Sequence, residues 1–266
     1  HCFRTRPPYP APPGYTGSPH NRVNRMETAL FISCVLILSA FTFSFAGFGF
    51  GLVAVPLLAL ALPIKDAVAI QLPFSVFLVV INSFRYGKTI KWHELQPIFI
   101  GSAAAMPVGV FSLNFFPDNL MKRALALFIV LVVLFERTRQ GQAKFGEFAR
   151  TGSGGMILGM ISGWFIGAYT TGGPPAVIYA TARFPDPRKA KGAMGIYFLA
   201  TDVVIVIMFI MTGLLTWDLF FLSLRFTPAA LAGFLAGSYF FKNITKQNYI
   251  LGVHFLLLVA AVMLCI

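Results

Sequence analysis

The residues best equipped for chemistry lie together at 167–175, read G-A-Y-T-T-G-G-P-P. Thr170 and Thr171 carry hydroxyls, Gly172 and Gly173 leave their backbone amides uncovered, and Pro174 with Pro175 suits a first helical turn. Amides at a helix N-terminus point outward at the positive end of the helix dipole. The chemistry on offer is therefore anion binding, and Thr170, Thr171, Gly172, Gly173 and Pro174 are the candidate contacts. The run interrupts an apolar region, where unpaired backbone groups find no water and are tolerated only where they line a cavity or are buried in protein. The competing reading is that the glycines merely let helices pack closely.

A related interruption comes earlier, at 46–56, read A-G-F-G-F-G-L-V-A-V-P. Laying Gly47–Gly51 beside Tyr169–Gly173 brings Pro63 onto Pro185. With small loop adjustments, Ala67-Val-Ala-Ile then meets Ala190-Lys-Gly-Ala, Trp92 meets Trp217 and Gly109 meets Gly237. Two matching interrupted helices in two repeated halves point to a binding site near the membrane midplane. Gly47, Gly49 and Gly51 are the first-half counterparts of the second-half contacts.

Further polar residues fall inside apolar segments. Gln71 is a candidate substrate contact. Asp202, in Y-F-L-A-T-D-V-V-I-V, is a candidate coupling group, because a carboxylate within the membrane is costly. Its charge would repel an anion unless it is protonated or paired, for instance with Arg85. Arg85 and Arg183 each abut an apolar segment and are candidates for drawing anions to the cytoplasmic mouth. Asn82, Gln96, Asn114 and His254 read as helix-to-helix hydrogen bonders.

The elements that must position these residues are membrane helices. The 266 residues are 57% hydrophobic and 11% charged, with mean hydropathy +0.77, far from a soluble composition. The net charge of +12 does not call for nucleic acid, because the basic residues sit between apolar runs. Cys2, Cys34 and Cys265 show no metal or disulfide spacing and read as small buried hydrophobes, so neither a metal nor a cofactor is expected. No nucleophile elbow, zinc-binding H-E-x-x-H or phosphate loop occurs, which argues against an enzyme.

Residues 1–25 are Pro-rich and read as a disordered or non-native extension, with Met26 resembling a start. Apolar segments follow at about 28–46, 48–62, 67–86, 95–116 and 120–136, then at 153–168, 172–184, 192–215, 219–240 and 249–266. Segments 48–62 and 172–184 are too short to span and read as half-helices. Basic loops at 85–94, 137–150, 183–191 and 241–248 fall on one side, which the positive-inside rule makes cytoplasmic. Trp92 and Trp217, matched in sequence, then lie on opposite faces, so the repeat is expected to be inverted. The fold class is all-α and polytopic, with two inverted repeats, a broken helix in each and 8 to 10 membrane segments. The division is 26–136 for the first repeat, 137–152 for a cytoplasmic connector and 153–266 for the second repeat.

The glycine-rich G-F-G-F-G-L-V-A-V-P, the second-half T-G-G-P-P and the two-fold repeat around a polar connector resemble the TauE/SafE sulfite exporter family, also called the toluene sulfonate uptake permease family. Phe48 and Phe50 stand where the commonest form of the first motif has glycines. The resemblance implies a plasma-membrane transporter that exports small sulfur-containing anions, such as sulfite or sulfoacetate, by alternating access. Partners are then the anion, the lipid bilayer and a candidate proton, with no nucleic acid. GxxxG-like spacing at Gly155–Gly159 and Gly233–Gly237 permits a homodimer but serves equally inside one subunit. An anion channel or importer on the same fold, or a membrane assembly protein, are the rival readings.

Overall fold

The computed structural model describes residues 19–46, 48–87, 90–137, 146–240 and 257–264. Gly47 and His254 lie outside the described residues, as do Cys2, Cys265 and half of the connector, 138–145. The first half comprises α1 (Pro19–Ala46), α2 (Phe50–Leu58), α3 (Ile64–Tyr86), a 3-10 turn (Trp92–Glu94), α4 (Gln96–Phe115) and α5 (Asp118–Arg137). The second comprises α6 (Gly152–Tyr169), α7 (Gly173–Arg183), α8 (Pro187–Met211), α9 (Trp217–Leu224) and α10 (Thr227–Phe240). No strand occurs among the described residues. α1 begins at Pro19 and so takes in residues 19–25, with proline at its first position, where a missing N–H costs nothing.

Four stretches are long and apolar enough to cross a membrane: Glu27–Ser44, Ile64–Tyr86, Gln96–Phe115 and Pro187–Met211. α9 and α10 qualify together as a fifth span, bent by 50° at their junction. The sequence suggests one segment there. The bend follows from Pro228, which cannot donate to the preceding turn, and Arg225 and Phe226 close a tight turn on the carbonyls of Leu222 and Ser223.

α2 and α7 hold 9 and 11 residues. At 1.5 Å per residue they reach only about 14 and 17 Å, roughly half the hydrocarbon thickness. Each is separated from the helix before it by a left-handed backbone turn. Gly49 turns with φ 88°, which suits glycine because no Cβ obstructs it. Thr170 turns with φ 51°, an unfavourable conformation for a β-branched residue, costing about 1–3 kcal/mol. Its N–H donates to the Ile166 carbonyl at 2.7 Å and that of Thr171 to the Phe165 carbonyl at 3.3 Å, so the end of α6 holds the turn.

Two glycine seams knit the halves together. Along α4 and α6, a Cβ on Gly159, Gly163 or Gly167 would collide with the carbonyl of Ile98, Ser102 or Met106 in turn. The steps of four on both sides mean that the helices run parallel in register, backbone against backbone. Gly101 and Gly109 repay the contact from α4, against the Met156 and Trp164 carbonyls. α1 and α10 pack likewise, with Gly233 and Gly237 against the Ile37 and Phe41 carbonyls. Gly155 abuts Pro97 and Tyr179, so both GxxxG-like stretches are occupied within one chain. α3 meets α8 between the halves, where Gly192 lies against the Tyr86 carbonyl and Gly195 beside Asn82. Cys34 is exposed rather than buried, on the outer side of α1.

Polar ties fix the helix ends. Asp118 accepts the Ile64 N–H at 2.6 Å and pairs with Lys122 at 3.0 Å, which caps α3 with a carboxylate at its positive end. At the other end of α7, Arg150 donates to the Ala182 carbonyl at 2.9 Å and Arg183 to the Arg150 carbonyl at 3.3 Å.

Candidate functional site

The two breaks touch one another. A Cβ on Gly51, in the first turn of α2, would stand 2.8 Å from the Thr170 carbonyl oxygen and 2.9 Å from Thr171 Oγ1. A Cβ on Gly173, in the first turn of α7, would stand 3.0 Å from the Phe48 ring. Each half-helix start therefore lies against the other half's break. Gln71 of α3 joins them: it is fully buried, its Nε2 donates to Thr170 Oγ1, and its Oε1 lies 3.5 Å from the Gly51 Cβ position. Gly51, Gln71, Thr170 and Thr171 thus form one cluster from residues far apart in the chain.

The threonines are not placed as free donors. Thr170 Oγ1 donates to the Tyr169 carbonyl at 2.6 Å and Thr171 Oγ1 to the same oxygen at 2.9 Å. The unspent donors are backbone amides. Among the described residues, neither Gly172 N–H nor Gly173 N–H has an acceptor, and Pro174 and Pro175 have no N–H to offer. Among the described residues, the first turn of α2 beyond Gly49 likewise has amides without an acceptor.

A hydrogen-bonded chain behind the second break holds it in shape. Ser162 Oγ donates to the Gly172 carbonyl at 2.7 Å, Tyr197 OH donates to Ser162 Oγ at 2.8 Å, and Ser102 Oγ lies 2.6 Å from Tyr197 OH. Tyr169 OH, also fully buried, donates to the Met121 carbonyl at 2.9 Å. The sequence alone gives no role to Ser102, Ser162 or Tyr197, and places Tyr169 in the break without assigning its hydroxyl. Ser102 and Ser162 look like ordinary small packing residues, and the available signal was the two tyrosines, since a tyrosine inside an apolar span needs a hydroxyl partner.

The charged candidates are not part of this cluster. Arg183 is spent on the far end of α7, and Arg85 sits at the last turn of α3, its guanidinium 5.5 Å from the Tyr86 ring centroid. Fourteen residues of helix separate Arg85 from Gln71, about 21 Å. Asp202 is buried in α8, and among the described residues its Oδ2 has no partner and no ion pair reaches it, so Arg85 does not neutralise it. Among the described residues no group of His, Cys, Asp or Glu could hold a metal.

A family model described as sulfite exporter TauE/SafE matches residues 31–264. The chain belongs to the TauE/SafE family. The match runs through both breaks and both glycine seams. Membership and the apolar helices make it a multi-pass integral membrane protein of a family of exporters, not of enzymes. No curated protein and no solved structure matches the chain.

Proposed function

We propose that this protein is a secondary transporter that exports a small sulfur-containing anion, sulfite or an organosulfonate such as sulfoacetate, across the plasma membrane by alternating access in an inverted-repeat framework. The observation that carries the reading is the reciprocal contact of the breaks, Gly51 against Thr170 and Thr171, and Gly173 against Phe48. In the repeat register Gly51 corresponds to Gly173 and Phe48 to Thr170, so one contact is the counterpart of the other. Gly109 and Gly237, matched after the loop adjustments, each lie on a carbonyl of the other half's first helix, Trp164 and Phe41. Both facts support two halves related by an exchange of roles.

In this mechanism the anion is held by the open amides of Gly172 and Gly173 and by those at the start of α2, where both helix dipoles are positive. Pro174 keeps the first turn of α7 free of competing N–H groups, and Gly49 and Gly51 keep the first-half backbone bare. Main-chain donors are fixed by the fold, so little ordering of side chains is needed on binding. Asp202 is the candidate for proton coupling, and Arg85 and Arg183 are the candidates for gathering anions at the cytoplasmic mouth.

The test is thermal unfolding of the detergent-purified protein with sulfite, thiosulfate, sulfoacetate, taurine and carboxylate controls, followed by counterflow in proteoliposomes. A carrier of sulfur anions is stabilised by one of them and exchanges it across the bilayer. Ohmic flux without counterflow would instead mean a channel, and neither stabilisation nor flux from a folded sample would end the transporter reading.

A further inference from the structure

We infer that the second break holds a small monovalent cation such as sodium, bound by the Thr170 carbonyl, Thr171 Oγ1 and Gln71 Oε1. The three oxygens converge on the side of Gly51 where no Cβ stands, at 2.8, 2.9 and 3.5 Å from the position a Cβ would take. Gln71 Oε1 is the independent sign of a missing partner, because the side chain is wholly buried and this oxygen accepts no hydrogen bond. The Thr170 carbonyl accepts none either among the described residues. Thr171 has turned its proton to the Tyr169 carbonyl, so only lone pairs of Oγ1 are left for the cluster.

These three oxygens are therefore all acceptors. An oxyanion would meet lone pairs there, whereas a hard cation takes oxygen ligands of this kind. The location agrees: α6 ends at Tyr169, and the C-terminal end of a helix is the negative end of its dipole. Unwound carbonyls that ligate a coupling ion beside half-helix amides that take an anion is an arrangement broken helices allow. The cluster includes no carboxylate, which disfavours a divalent ion, and a single positive charge suffices to offset a bound monoanion. Gly51 leaves the ion its space, since even an alanine methyl would fill it.

The ion's role in transport rests on the reading given under the proposed function; its binding does not, and can be measured with no substrate present. Unfolding temperature is followed in sodium, potassium and choline chloride at equal ionic strength. Sodium should stabilise in a saturable way. Gln71→Leu and Thr171→Val should each raise the sodium concentration for half-maximal stabilisation about tenfold or more, the scale of a lost contact to a charged group. Thr171→Ser, which keeps the oxygen, should stay near wild type, and this pair of threonine variants decides the matter if Gln71→Leu does not fold. A water molecule in place of an ion predicts identical unfolding in all three salts. That result would overturn the site, as would a full sodium response in both Gln71→Leu and Thr171→Val. Sodium binding without counterflow of any sulfur anion would instead remove the transporter reading and leave the site standing.

Discussion

A single methyl group discriminates between the two breaks. Gly51 and Gly173 are counterparts, yet their surroundings differ in what can yield. An alanine at 51 would press its Cβ to 2.8 Å from a main-chain oxygen, Thr170, in a turn pinned by Gln71 and by the end of α6. An alanine at 173 would meet the half-buried Phe48 ring at 3.0 Å, and a ring edge can swing aside. Alanine in place of a helical glycine gains about 0.5–1 kcal/mol of backbone entropy, while overpacking costs about 1–3 kcal/mol where neighbours cannot move. Gly173→Ala should therefore sit within about 1 kcal/mol of wild type, and Gly51→Ala about 1–2 kcal/mol below it. The functional gap should be wider, because the Thr170 carbonyl must shift whether or not the protein stays folded. The assay pairs thermal unfolding in detergent with counterflow in proteoliposomes. If Gly51→Ala exchanges substrate as wild type does while Gly173→Ala is the damaged variant, the crossed-break geometry is wrong.

Other outcomes follow from the same contacts. Gly172→Val and Gly173→Val should insert into the membrane yet lose transport, as judged by membrane fractionation beside flux, since a side chain at 172 would push against Ile166 and Ser162 and one at 173 against the Phe48 ring, displacing the amides assigned to the anion. Tyr197→Phe should lower stability by about 1–3 kcal/mol in a thermal melt, because Ser102 and Ser162 lose the hydroxyl that links them across α4, α6 and α8. Gly163→Val should fail to give a monodisperse protein by size-exclusion chromatography, since its side chain would enter the Ser102 backbone of α4. Asp202→Asn should retain counterflow but lose accumulation driven by a pH gradient, and undiminished accumulation would dismiss Asp202 as the coupling group.

The breaks were legible in the sequence because each clusters several glycines with a proline following, whereas the packing glycines of the seams come singly, four or eight residues apart. The residue types of the cluster were legible too: Gly51, Gln71, Thr170 and Thr171 all belong to it. Their pairing was not, since Gln71 meets Thr170 across 99 residues of chain and no local pattern records such a contact. Nor was the direction of the threonine protons, which depends on how Tyr169 presents its carbonyl just before the left-handed turn at Thr170. That detail reverses the character of the cluster from donor to acceptor. Pro228 announced the bend between α9 and α10, but a strong apolar run on both sides masked it.

The glycine seams bear on which parts of the molecule can travel together. Each joins a helix of one half to a helix of the other, α4 to α6 and α1 to α10, with backbones in contact along several turns. Pulling the chain's first half away from its second would have to unzip both. The stiff units are then the crossed pairs, each assembled from two distant stretches of sequence. In the proposed mechanism, opening to either side of the membrane would be a tilt of one pair against the other, with α3, α8 and the crossed breaks as the fulcrum.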